Sequence, residues 1–158
     1  MIDGRQNPPI AIADLIPERM LWPEFFELDG MIFIKDGFDS RLYESLSASF
    51  KAEEQEHILS DETRLEGILN ARYLKEIFLG TGYIPQRKML EQLGKLIEEN
   101  WQTKLNVEFQ GRQIKASFVQ EFANTGFAGW YVTANRSLED EILKCKMMAS
   151  KWKEVHRK

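Results

Sequence analysis

Residues 105–133, LNVEFQGRQIKASFVQEFANTGFAGWYVT, decide how the chain is read. Two runs that alternate apolar and polar residues flank Gln110-Gly111-Arg112, and a third, aromatic run from Phe127 to Val132 follows a loop holding Asn124, Thr125 and Gly126. Alternation with a period of two is the signature of a half-buried strand, so the stretch predicts an antiparallel three-strand meander. A sheet of that kind must cover one face. The two clearest helical patterns, Pro85 to Lys104 and Ser137 to Val155, lie on either side of it in sequence.

From Pro85 onward Met89, Leu90, Leu93, Leu96, Ile97 and Trp101 fall within an arc of about 140°, opposite Glu91, Gln92, Lys95, Glu98, Glu99 and Gln102. Pro85 suits the first turn of that helix. After the meander, Ser137 followed by Asp140 resembles a capping box, and Leu138, Ile142, Cys145, Ala149 and Trp152 form one stripe that is expected to dock on the sheet.

Toward the N-terminus, Phe25 to Leu28 and Met31 to Ile34 surround Asp29-Gly30, a pair that favours the two positive φ values of a type I′ hairpin. Asp39 or Ser40 can cap a helix whose Leu42, Tyr43, Leu46 and Phe50 share an inward face. Ser60 or Asp61 starts another, with Leu65, Ile68, Leu69, Leu74, Ile77 and Phe78 spread widely round the wheel; that segment is either buried on several sides or broken midway.

The order is a hairpin, two or three helices, three strands, then a helix. Strands in runs predict an α+β fold: an antiparallel sheet of about five strands, the N-terminal hairpin plus the meander, against three or four helices. No repeat or linker divides the 158 residues, so a single domain is expected, with a loose leader at 1–9 ending in Asn7-Pro8-Pro9 and a basic tail at 156–158.

Composition narrows the chemistry. One cysteine and two histidines are too few for an evident disulfide or zinc centre, so no cofactor or metal is expected. No long apolar run marks a signal or anchor, and the expected location is the cytoplasm, away from membranes. Net charge is −4, unevenly placed: residues 1–80 carry 16 acidic against 8 basic side chains, and residues 81–158 carry 9 against 13. The contrast fits a dipolar surface that orients a partner, or two ordinary solvated faces.

Enzyme motifs are absent, and the chain is read as a non-enzyme. Glu53 and Glu54 precede His57 by four and three residues, a spacing that suits acid/base work on a helix and equally an ordinary surface ion pair. Cys145 lies on an apolar stripe, the position of a buried, inert thiol. Gly80-Thr81-Gly82 lacks the third glycine or Walker lysine of a phosphate loop and reads as a helix stop.

The leading functional expectation is a protein-binding module of adaptor, inhibitor or immunity type, joining another protein or a second copy of itself. Its candidate interface is Leu143 and Met147, four residues apart on the far side of the last helix and ringed by Lys144, Lys146, Lys151 and Lys153. A small-molecule site or an enzyme centre assembled only by folding is the alternative. Nucleic-acid association through the basic last helix is a third reading, which the sequence pI near 5.3 disfavours.

Overall fold

The computed structural model describes residues 16–53, 59–78, 85–120 and 129–136. They build an α+β fold with two antiparallel sheets. In chain order the elements are α1 (Glu18–Leu21), β1 (Phe25–Leu28), β2 (Met31–Ile34), α2 (Ser40–Ala52), α3 (Asp61–Leu69), β3 (Arg72–Tyr73), α4 (Lys75–Phe78), α5 (Arg87–Glu108), β4 (Ile114–Val119) and β5 (Tyr131–Arg136).

The hairpin forms as the sequence requires. Asp29 and Gly30 take φ values of 53° and 80°, the type I′ geometry, and Leu28 pairs with Met31 across the turn. All four residues of β2 are buried, because the hairpin separates two apolar clusters. Ile32 and Ile34 face α5 and the larger sheet, whereas Met31 and Phe33 face α2 and α3.

Both expected caps are present. The Asp39 carboxylate accepts from the amides of Arg41 and Leu42, and the Ser60 hydroxyl accepts from the amide of Thr63. On α2 only Phe50 is buried; Tyr43 and Leu46 are half-buried and Leu42 is exposed, so the inward face is narrower than the wheel suggests.

The broken-helix reading of residues 60–78 is the one realised. α3 stops at Leu69, Asn70 turns inward, and Arg72-Tyr73 pairs with Val132 and Tyr131 before the short α4 begins.

The meander requires correction. Leu105 to Phe109 is not its first strand but the end of α5, which runs from Arg87 to Glu108. Leu105, Val107 and Phe109 do alternate, yet Leu105 also continues the stripe of Leu90, Leu93, Ile97 and Trp101 at helical spacing. The longer pattern prevails: Leu105 is buried in the core and Val107 is left exposed on the opposite side. Gly111, with φ 81°, then turns the chain into β4.

The last strand lies later than expected, Tyr131 to Arg136 instead of Phe127 to Val132. Pairing decides this, since Thr133 and Ala134 sit opposite Ser117 and Ala116 and are buried there. The third strand of the larger sheet, ordered β3-β5-β4, therefore comes from the broken helix segment.

The face of this sheet bearing Ile114, Ala116, Phe118, Val132 and Ala134 packs on α5. Contact is close because Gly94 has no side chain; a Cβ there would lie 2.4 Å from the Phe118 ring. The Trp101 indole donates to the Met20 carbonyl at 2.7 Å and fixes α1 against α5. Among the described residues, no helix is long and apolar enough to cross a membrane.

Candidate docking groove

Among the described residues, two helical layers of unequal extent leave one part of the larger sheet without a helix over it. While α5 covers one face, α3 meets the other face only near β5. There the Thr133 hydroxyl donates to the Gly67 carbonyl at 2.6 Å. A Cβ on Gly67 would stand only 3.1 Å from the Asn135 side chain, so glycine sets this approach. Beyond α3, the side chains of Ser117, Val119, Tyr131 and Tyr73 floor an open groove of about 520 Å³, with Ile68 on its helical wall.

The groove has an apolar and aromatic character. Ile68 is 49% and Tyr73 37% exposed, while Tyr73 and Tyr131 stack obliquely with ring centres 5.4 Å apart. The Lys75 ammonium lies 5.6 Å from the Tyr73 ring centre. One turn before Ile68 on the same helical wall, Arg64 is fixed by two hydrogen bonds to Glu53, an ion pair with Asp61 and a stacking contact 3.8 Å from the Phe50 ring centre. Its hydrogen bonds with Glu53 raise an already high guanidinium pKa, so it is a fixed cation.

Nearby, a polar joint ties the hairpin to this sheet. Asn70 is fully buried. Its carboxamide oxygen accepts from the Ile34 amide at 2.8 Å, and its nitrogen donates to the carbonyls of Ile32 and Ala134, both at 2.9 Å. One side chain thus does for β2 and β5 what a strand between them would do. One turn earlier, Glu66, also fully buried, accepts from the Ile32 amide at 3.0 Å and lies 3.2 Å from the Arg136 guanidinium. That ion-pair contact lacks hydrogen-bond geometry at Oε1. Burial raises the Glu66 pKa, and the Ile32 amide and Arg136 only partly oppose it.

Arg136 and Arg112 both donate to the Gly30 carbonyl at 3.0 Å, and Arg112 also binds Glu27. These groups serve one another and line none of the surface hollows described here, so the joint is architectural.

A second hollow, of about 580 Å³, lies beside the exposed indole of Trp22. Its charges pair across the rim, Lys35 with Glu24 at 3.4 Å and Arg19 with Asp36 at 3.9 Å. Among the described residues, no three or more His, Cys, Asp or Glu side chains gather as a metal would require.

Of the residues singled out from sequence, Glu53 is described. α2 ends at Ala52, Glu53 is already extended, with φ −69° and ψ 130°, and its carboxylate pairs with Arg64. Glu54, His57, Gly80, Gly82 and Cys145 lie outside the described residues, as do Leu143, Met147, Lys144, Lys146, Lys151 and Lys153. Sequence reasoning does not single out Glu66, Asn70, Ile68 or Tyr73, and only the first two leave a faint local trace. Glu66 and Asn70 stand four residues apart on a helix whose apolar residues leave no clean polar face, as buried polar groups would. Comparison with known protein families, curated proteins and solved structures finds no match.

Proposed function

We propose that this chain is a protein-binding module of adaptor, inhibitor or immunity type, which seats its partner in the groove between α3 and the open sheet face. One observation carries the reading: Ile68 and Tyr73 stand exposed on a groove that no described helix covers, beside Arg64, which is held in place, and Lys75. Preformed apolar and aromatic surface with few groups left to order suits protein recognition. Arg64 is spent in ion pairs with Glu53 and Asp61, which is a poor arrangement for acid/base chemistry and a serviceable one for a charged rim.

A single cysteine, which can form no internal disulfide, agrees with a cytoplasmic setting. A small-molecule ligand is the second reading, favoured by the exposed Trp22 indole inside a charged hollow.

Capture with the tagged chain from its own cells, in parallel with an Ile68→Asp, Tyr73→Ser variant, tests the proposal. The reading expects a stoichiometric protein with the wild type and its loss from the variant at an unchanged Tm. A captured protein that ignores both substitutions refutes the groove. A small molecule lost on Trp22→Ala would establish the second reading instead.

A further inference from the structure

We infer that β1 is a pairing edge, through which two copies of this chain join their hairpins into one four-stranded sheet. Exposed sheet edges are templates for further strands unless they are covered, charged or capped. Two of the edges here are capped by side chains. On β4, the amides of Ala116 and Phe118 donate to Gln102 and Glu98, and the Ile114 carbonyl accepts from Gln102. On β2, Glu66 and Asn70 occupy the outward amides of Ile32 and Ile34 and the outward carbonyl of Ile32.

The outer edge of β1 differs. Ile32 and Ile34 stand opposite Glu27 and Phe25, and because they direct their amides away to α3, these are the non-hydrogen-bonded pairs of the hairpin. The Lys35 amide donating to the Glu24 carbonyl fixes the same alternation. The N–H and C=O groups of Phe25 and Glu27 therefore point outward, and among the described residues none of them has a hydrogen-bond partner.

A second copy satisfies all of these groups together. In antiparallel pairing about a twofold axis through Phe26, Phe25 stands opposite Glu27 of the second copy, and Glu27 opposite Phe25. Each such pair exchanges two hydrogen bonds, so the outward groups of both edges are used with none left over. Acidic side chains ordinarily guard an edge, but here each has its cation within its own chain: Glu24 pairs with Lys35 and Glu27 with Arg112. In this register Glu27 faces an aromatic ring instead of its own copy. The edge shares no residue with the groove, so this pairing leaves the groove available and stands or falls independently of it.

The test is the mass of the full chain by sedimentation equilibrium over a concentration series, for the wild type and Glu27→Pro. The Glu27 amide serves no bond inside the hairpin, and proline is tolerated on an edge strand whose N–H faces outward. The variant is expected to keep the wild-type circular dichroism and to dimerise at least tenfold more weakly. A wild type that is monomeric at every concentration, or a dimer indifferent to Glu27→Pro, overturns the inference. Should Glu27→Pro fail to fold, Phe26→Cys in a Cys145→Ser background decides. Oxidation is expected to link two copies through residue 26, and absence of that link overturns the inference.

Discussion

Replacing Asn70 by alanine is the perturbation whose cost can be worked most directly from the structure. The substitution removes three hydrogen bonds of 2.8, 2.9 and 2.9 Å and leaves the Ile34 amide and the carbonyls of Ile32 and Ala134 without partners in the interior. Each buried backbone group left unsatisfied costs about 1–3 kcal/mol. A water entering the vacated space restores part of this, and the three losses are not independent, so the net is about 3–5 kcal/mol. Against a total stability of about 5–15 kcal/mol, that is between about a fifth and the whole of it. Denaturant unfolding reads the change as a lower midpoint at similar slope, and amide exchange reads it as lost protection at Ile34. Asn70→Asp should be at least as severe at neutral pH, because it places a carboxylate oxygen against two carbonyl oxygens. A loss below about 1 kcal/mol for Asn70→Ala would refute the claim that this carboxamide joins the hairpin to the sheet.

Glu66 gives a prediction of opposite sign to the usual carboxylate. Its folded pKa is raised above the ordinary 4.5, so the folded state holds the proton more tightly. The stabilisation from protonation is complete below the unfolded pKa and declines as pH rises through the folded one. Glu66→Gln should therefore flatten the stability profile above about pH 4.5 and be neutral or stabilising at pH 7; a marked loss of Tm there would contradict it. Gly30→Val forces a branched side chain to φ 80° in the hairpin turn and should cost at least about 1 kcal/mol in chemical denaturation; an unchanged midpoint would remove the turn's role. Gly94→Ala drives a methyl against the Phe118 ring and should lower stability by about 1 kcal/mol despite alanine's higher helix propensity, whereas a rise in Tm would show that the ring moves freely.

The parts of the fold legible from sequence are those governed by local chemistry. Asp29-Gly30 dictates a turn by its backbone preferences, and the stripe of Leu90, Leu93, Ile97 and Trp101 dictates a helix by its period. Where two periods overlapped, at Leu105 to Phe109, a short strand pattern lost to a helix already about five turns long. β3 was beyond reach because two residues carry no period, and its existence depends on Tyr131 and Val132, nearly sixty residues away. Asn70 and Glu66 were hidden for a related reason: burial of a polar side chain makes sense only once its backbone partners, 34 to 64 residues distant, are in place. The groove was least legible of all, since among the described residues it is the space left where α3 covers less of the sheet than α5 does.

The proposal that this space receives a protein is tested most directly by a residue-resolved nuclear magnetic resonance titration of the labelled chain with the protein it captures. Shift changes should concentrate on Ile68, Tyr73, Ser117 and Val119 and leave Trp22 and the β1 edge unmoved. Changes confined to Trp22 and Lys35, or spread along Phe25 to Leu28 with the groove silent, would contradict the assignment of the groove as the docking site.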